Sequence, residues 1–123
     1  MAIDLGGTQI RAALIGSDAS VSCRIAAPTR DEDGPDAVLE RMAEAATRVL
    51  AQAERDGLPR PVAAGISAPG PLDAWRGIIL TPPNLAGWRD VPILERIGPA
   101  IGLPTFLERD TNVAVTAEWR YGA

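Results

Sequence analysis

Lysine and histidine are absent from all 123 residues, so every one of the 12 basic side chains is an arginine. Without lysine there is no Walker-type phosphate loop, which requires a Gly-Lys-Ser/Thr run, and no Schiff-base chemistry. Without histidine there is no Ser-His-Asp or Cys-His nucleophile and none of the usual zinc hydrolase sites. Cys23 is the sole cysteine, which excludes a disulfide framework or a multi-thiolate metal site and fits a reducing, cytoplasmic setting. Excess positive charge is missing too. Sixteen acidic residues give a net charge of −4, so attraction to a phosphate backbone would not drive nucleic-acid binding. No apolar run approaches the roughly 18 residues needed to span a bilayer, and no membrane partner is expected. The opening Met-Ala-Ile-Asp-Leu lacks the basic and apolar regions of a secretory signal.

What is present suits one globular domain. Hydrophobic residues make up 46% of the chain, and a chain of this size buries roughly 65–70% of its unfolded surface. Ala2–Asp4, Ile10–Ile15 and Val21–Ala27 read as three strands, the first two joined by Gly6-Gly7. Glycine supplies positive φ without steric cost, so the pair signals a hairpin turn. Residues 29–34 are acidic and polar and read as a loop. Residues 35–56 form the clearest helix: Val38, Met42, Ala45, Val49 and Ala53 share one face, and Glu40, Glu44 and Arg48 cover the other. Pro35 suits its first turn and Gly57 its stop.

Val62–Ile66 reads as a buried strand, residues 77–80 as a short one, and residues 91–101 as a helix with Asp90 as candidate cap. Thr105–Arg109 is a last strand and Asp110–Tyr121 a last helix packed through Trp119, while Trp75 and Trp88 are expected to anchor their loop. The order β-β-β-α-β-loop-α-β-α implies an α/β domain: a mixed five-stranded sheet, three antiparallel strands first, with helices packed on it. Ligands in such sheets gather beyond the C-terminal strand ends.

Three segments there could carry chemistry. In Asp4-Leu5-Gly6-Gly7-Thr8, the tight turn exposes backbone N–H groups to phosphate oxygens, Thr8 adds a hydroxyl, and Asp4 could hold hydrated Mg²⁺. In Glu108-Arg109-Asp110-Thr111-Asn112, Asp110 falls where strand gives way to helix. With no histidine available, this carboxylate is the natural general base. Asp110 or Thr111 as a plain helix cap is the commoner role for such residues, and both readings stand open. In Gly65–Pro71, followed by Pro83-Asn84-Leu85-Ala86-Gly87-Trp88, a rigid turn at Gly70-Pro71 lets backbone approach a ligand, and Asn84 offers the paired donor and acceptor that suit sugar hydroxyls. A rigid surface loop anchored by Trp88 accounts for the same residues.

Taken together and in order, these segments resemble the ROK family of sugar kinases and sugar-responsive repressors, in the actin–hexokinase–Hsp70 group. The match runs essentially end to end. Asp4–Thr8 is similar to the family's first phosphate motif, Gly65–Pro71 to its Gly-x-x-x-Pro-Gly-Pro turn, and Pro83–Trp88 to its Pro-Asn-Leu-x-Gly-Trp. Glu108–Glu118 is similar to the segment bearing the catalytic aspartate. The resemblance implies a ribonuclease H-like (actin-like ATPase) lobe and ATP-dependent phosphorylation of a glucose-like hexose, in a cytoplasmic homo-oligomer. By position it makes Asp110 the base and places Asp4, Gly6, Gly7 and Thr8 at the Mg²⁺-ATP phosphates, with Asp4 holding Mg²⁺ through water. Gly70, Pro71, Asn84, Arg109 and Asp110 fall at the sugar.

Two departures qualify that expectation. Arg109 stands where the family usually has asparagine, and a guanidinium is larger and donates only. It could reset sugar choice, or pair with Asp110 and weaken it as a base. The chain is also less than half the length usual in the family, so it resembles an N-terminal lobe lacking the second phosphate motif, adenosine contacts and structural zinc cluster. The isolated lobe is expected to be inactive. The alternative is the sugar-sensing domain of a ROK repressor lacking its helix-turn-helix, and a third reading takes polyphosphate as donor.

Overall fold

The computed structural model describes residues 1–122. Strands β1 (Ala2–Leu5), β2 (Gln9–Ile15) and β3 (Val21–Pro28) precede a single 3₁₀ turn (Asp31–Asp33) and helix α1 (Pro35–Arg55). Then come β4 (Ala64–Ala68), β5 (Leu72–Asp73), β6 (Ile78–Ile79), α2 (Ile93–Ile101), β7 (Thr105–Arg109) and α3 (Asp110–Tyr121). Five strands form a mixed sheet in the order β3-β2-β1-β4-β7. The pairs β1–β2 and β2–β3 are antiparallel, and β1–β4 and β4–β7 are parallel. The expected α/β sheet is therefore present.

Period-two alternation sorts each strand between two faces. Ile3, Leu5, Ile10, Ala12, Ala64, Ile66 and Leu107 are buried on the face that packs against α1 and α2. Helix α1 meets them with Val38, Leu39, Met42, Ala45, Ala46, Val49 and Ala53, and α2 with Ile93, Ile97 and Ile101. Both ends of α1 follow the expected signals. Pro35 occupies its first turn. At the other end Leu58 N–H donates to Ala53 O (2.9 Å) and Gly57 N–H to Glu54 O (3.1 Å), with Gly57 at φ 69°. This is the left-handed cap in which glycine avoids a Cβ clash.

The opposite sheet face is open. Ala2, Asp4, Arg11, Gly65, Phe106 and Glu108 line a groove of about 960 Å³ there. Helix α3 leaves from the same edge and buries no residue. Trp119 is 85% exposed and Trp75 99% exposed, so neither is the anchor expected of it. Trp88 is buried, with its Nε1–H unpartnered among the described residues. It does anchor its loop, together with Leu85 and Val91.

Three local expectations are corrected. The fourth strand begins at Ala64, because parallel register with Thr105 starts there, while Val62 is 88% exposed. Asp90 does not cap α2. It sits at φ 50° and donates its N–H to Leu80 O (3.0 Å), since Ile79 and Val91 form a bridge that holds the chain extended until Pro92. Residues 29–34 are not merely a polar loop, because Thr29 is fully buried and Asp31–Asp33 form a helical turn.

Candidate functional site

The hairpin between β1 and β2 is built around Gly6-Gly7-Thr8. Gly6 N–H donates to Gln9 O (2.9 Å) and closes the turn. Neither glycine takes positive φ, contrary to the sequence expectation. Gly6 is needed for closeness instead: a Cβ there would lie 2.8 Å from Gln9 O, which no side chain tolerates without moving the turn. Gly7 and Thr8 are exposed, and their N–H groups have no hydrogen-bond partner among the described residues. Two free amides on an exposed turn are donors open to an anion.

Asp4 lies one residue before the end of β1, half-buried on the open face. It is in register with Arg11 on β2 and Ser67 on β4. Ala26 pairs with Arg11, and Glu108 with Ser67, so one row of the sheet reads Ala26, Arg11, Asp4, Ser67, Glu108. Asp4 forms no ion pair among the described residues. A carboxylate one residue from a turn with free amides fits Mg²⁺, an ion that binds through one or two carboxylates plus phosphate and water.

Asp110 opens α3, directly after β7. Its Oδ1 accepts the Thr111 N–H at 2.8 Å, and its other oxygen has no partner among the described residues. The cap position of α3 falls on Arg109 and carries no side-chain cap bond, so Asp110 is the first residue of the helix rather than its cap. Glu108 supports the same junction. Its Oε1 accepts Arg109 N–H (2.8 Å) and Asn112 Nδ2 (2.9 Å), and these bonds hold its carboxyl below the usual range.

Arg109 does not pair with Asp110. Its side chain lies over the Pro69-Gly70-Pro71 turn, where a Cβ on Gly70 would come within 2.5 Å of Arg109 Nε. Gly70 is buried and is joined to the exposed Pro71 by a cis peptide. A short hairpin of β5 and β6 follows, extended by the Ile79–Val91 bridge. Asn84 is exposed beyond it, its Cβ 3.9 Å from where a Cβ on Gly7 would lie. The fold thus brings together residues distant in sequence: Gly70 with Arg109, the residue before Asp110, and Asn84 with the Gly6–Thr8 turn.

A model of the ROK family matches residues 1–123. The chain belongs to the ROK family. Against the glucokinase of Thermotoga maritima it is 33% identical over 121 residues, covering 98% of this chain and 36% of that protein. Against the N-acetylmannosamine kinase of Escherichia coli O157:H7 it is 32% identical over 120 residues, covering 98% and 38%. The ROK hexokinase of Thermus thermophilus superimposes with a TM-score of 0.77 at 40% identity, over 94% of this chain and 36% of that one. A ROK glucokinase from Streptomyces griseus, solved with glucose and AMPPNP, gives a TM-score of 0.83 at 27% identity, over 98% and 36%. The chain spans little more than a third of the length of these relatives. The ribonuclease H-like, actin-like ATPase fold is that of these ROK kinases. No helix among the described residues is long and apolar enough to cross a membrane.

Two residues at this end of the sheet escape a sequence reading. Thr29 and Arg41 stand behind the Gly6–Thr8 turn and bond to it or to each other. A threonine before an acidic stretch looks like surface, so only the register of β3 beside β2 reveals it.

Proposed function

We propose that this chain is one lobe of an ATP-dependent hexose kinase, a lobe that supplies the phosphate turn, the sugar loops and the catalytic base. The observation that carries this reading is Asp110. It is an exposed carboxylate at the strand end, with one oxygen tied to its own helix and the other free. In the proposed reaction that oxygen accepts the proton of a sugar hydroxyl as the hydroxyl attacks the γ-phosphorus of ATP. The bond from that phosphorus to the bridging oxygen breaks, and ADP leaves. The free amides of Gly7 and Thr8 bind phosphate oxygens, and Asp4 would hold Mg²⁺ through water. Mg²⁺ would neutralise phosphate charge. Asn84, Gly70 and Pro71 shape the sugar pocket. Retention of the Gly6–Thr8 turn favours a kinase over a purely sugar-sensing domain.

Phosphoryl transfer depends on positioning and charge neutralisation from both sides of the transferred group. One lobe provides only one side. The isolated 123-residue chain is expected to show no turnover in an ADP-coupled assay with Mg-ATP and a panel of hexoses. Robust turnover would refute the one-lobe reading.

Arg109 sets the sugar in this proposal. Its guanidinium presents donors only, beside the base and against Gly70. Arg109→Asn, in a kinase of the relatives' full length that carries this lobe, should change the ratio of kcat/KM between hexoses by about 10–100-fold, the effect of one charged hydrogen bond. An unchanged hexose profile would confine Arg109 to packing the Gly70 turn.

A further inference from the structure

The only fully buried polar residue among the described residues is Thr29, and its bonds run to both sides of the β1–β2 turn. Its Oγ1 donates to Gly6 O at 2.7 Å, and its N–H donates to Thr8 O at 2.9 Å. Thr29 is in turn gripped from α1. Arg41 Nη1 donates to Thr29 O at 2.6 Å and to Arg30 O at 3.3 Å, while Nη2 pairs with the Asp33 carboxylate. A continuous series of contacts thus runs from the long helix to the turn.

Peptide planarity gives this series a consequence. In a trans peptide the carbonyl of one residue and the N–H of the next point in opposite directions. Drawing the Gly6 carbonyl inward onto Thr29 Oγ1 therefore turns the Gly7 N–H outward. We infer that Thr29, held by Arg41, is a positioning residue that aims the Gly7 amide at the ligand side of the turn. This rests on the proposed function for the identity of the ligand, but the aiming itself is a property of the chain alone. A glycine-glycine turn without this support has many backbone states open to it. Binding an anion would then carry the cost of ordering the turn.

The test separates aiming from kinase activity. In ¹⁵N-labelled chain, Thr29→Val removes the hydroxyl at nearly constant shape. It should move or broaden the Gly7 and Thr8 amide resonances while those of α2 and β7 stay in place, and Thr29→Ser should restore them. Wild-type Gly7 and Thr8 signals in Thr29→Val would overturn the inference. Should Thr29→Val fail to fold, Arg41→Gln serves instead, because Arg41 is half-buried at the surface. It should perturb the same two amides with α2 and β7 intact, and unperturbed amides would again overturn the inference. In a kinase of the relatives' full length carrying this lobe, Thr29→Val should raise KM for ATP about tenfold, leave KM for the sugar unchanged, and be rescued by Thr29→Ser. A rise confined to the sugar KM would overturn it. Absence of any ATP use by that unsubstituted kinase would refute the proposed function, while the resonance test would still decide the aiming.

Discussion

Asp110→Asn, in a kinase of the relatives' full length carrying this lobe, is expected to lower kcat by about 10²–10⁴-fold, the range typical of a positioned general base. The substitution isolates the proposed chemistry because only one oxygen of Asp110 has a partner among the described residues. Oδ1 accepts the Thr111 N–H, and an asparagine carbonyl oxygen can do the same, so the start of α3 survives. The second oxygen becomes an NH₂ group, which cannot take a proton. Sugar affinity should change little, because the site keeps its shape and a hydrogen-bonding group remains. Steady-state kinetics with varied hexose, beside equilibrium sugar binding, checks both parts. Undiminished turnover would leave Asp110 with only its local bond from the Thr111 N–H.

Helix α1 was legible in full, because its information is local. Its helical spacing, its proline start and its glycine stop lie within the segment, and each position has the expected burial. The Gly6–Thr8 turn was legible as a turn but for the wrong reason. Gly6 is required by the nearness of Gln9 O, a tertiary fact that no propensity encodes. Asp90 looked like a cap because it is an aspartate before an apolar run, yet strand bridging at Ile79–Val91 outweighs that local signal.

Trp119 is expected from the sequence to pack α3, yet it is exposed. The large apolar residues of α3, at 113, 115, 119 and 121, divide between two faces at helical period, 113 with 121 and 115 with 119, and all four are exposed. That division was visible in the sequence. Thr29 gave no such sign, since its burial depends on where β3 ends relative to the turn. The candidate site divides along the same line. Its residue types and order could be read from the chain, whereas the approach of Arg109 to Gly70, and of Asn84 towards Gly7, depends on loops returning to the sheet.

The open sheet face makes stability depend on one layer of core. Ile10 is fully buried at the start of β2, on the helix side of the sheet. The next residue, Arg11, points to the open face beside Asp4. Ile10→Ala is therefore expected to destabilise the chain by about 2–5 kcal/mol, from lost transfer energy and the cavity left behind. Ile10→Val should cost about 0.5–1.5 kcal/mol. Domains of this kind have only about 5–15 kcal/mol in total, so the alanine variant loses a large share. Trp75→Ala and Trp119→Ala remove much larger side chains but should stay within about 0.5 kcal/mol of the parent, because those rings touch mostly water. Urea denaturation followed by far-UV circular dichroism checks the order, with an unchanged m-value showing that only stability has moved. If Trp119→Ala proved as costly as Ile10→Ala, α3 would be packed on something in solution, and the single-layer account of this fold would fail. The Gly6–Thr8 turn is tied to the same layer. Ile10 sits two residues beyond Thr8, and its burial fixes which residues of β2 face the helices, and with them the register that places Asp4 opposite Arg11.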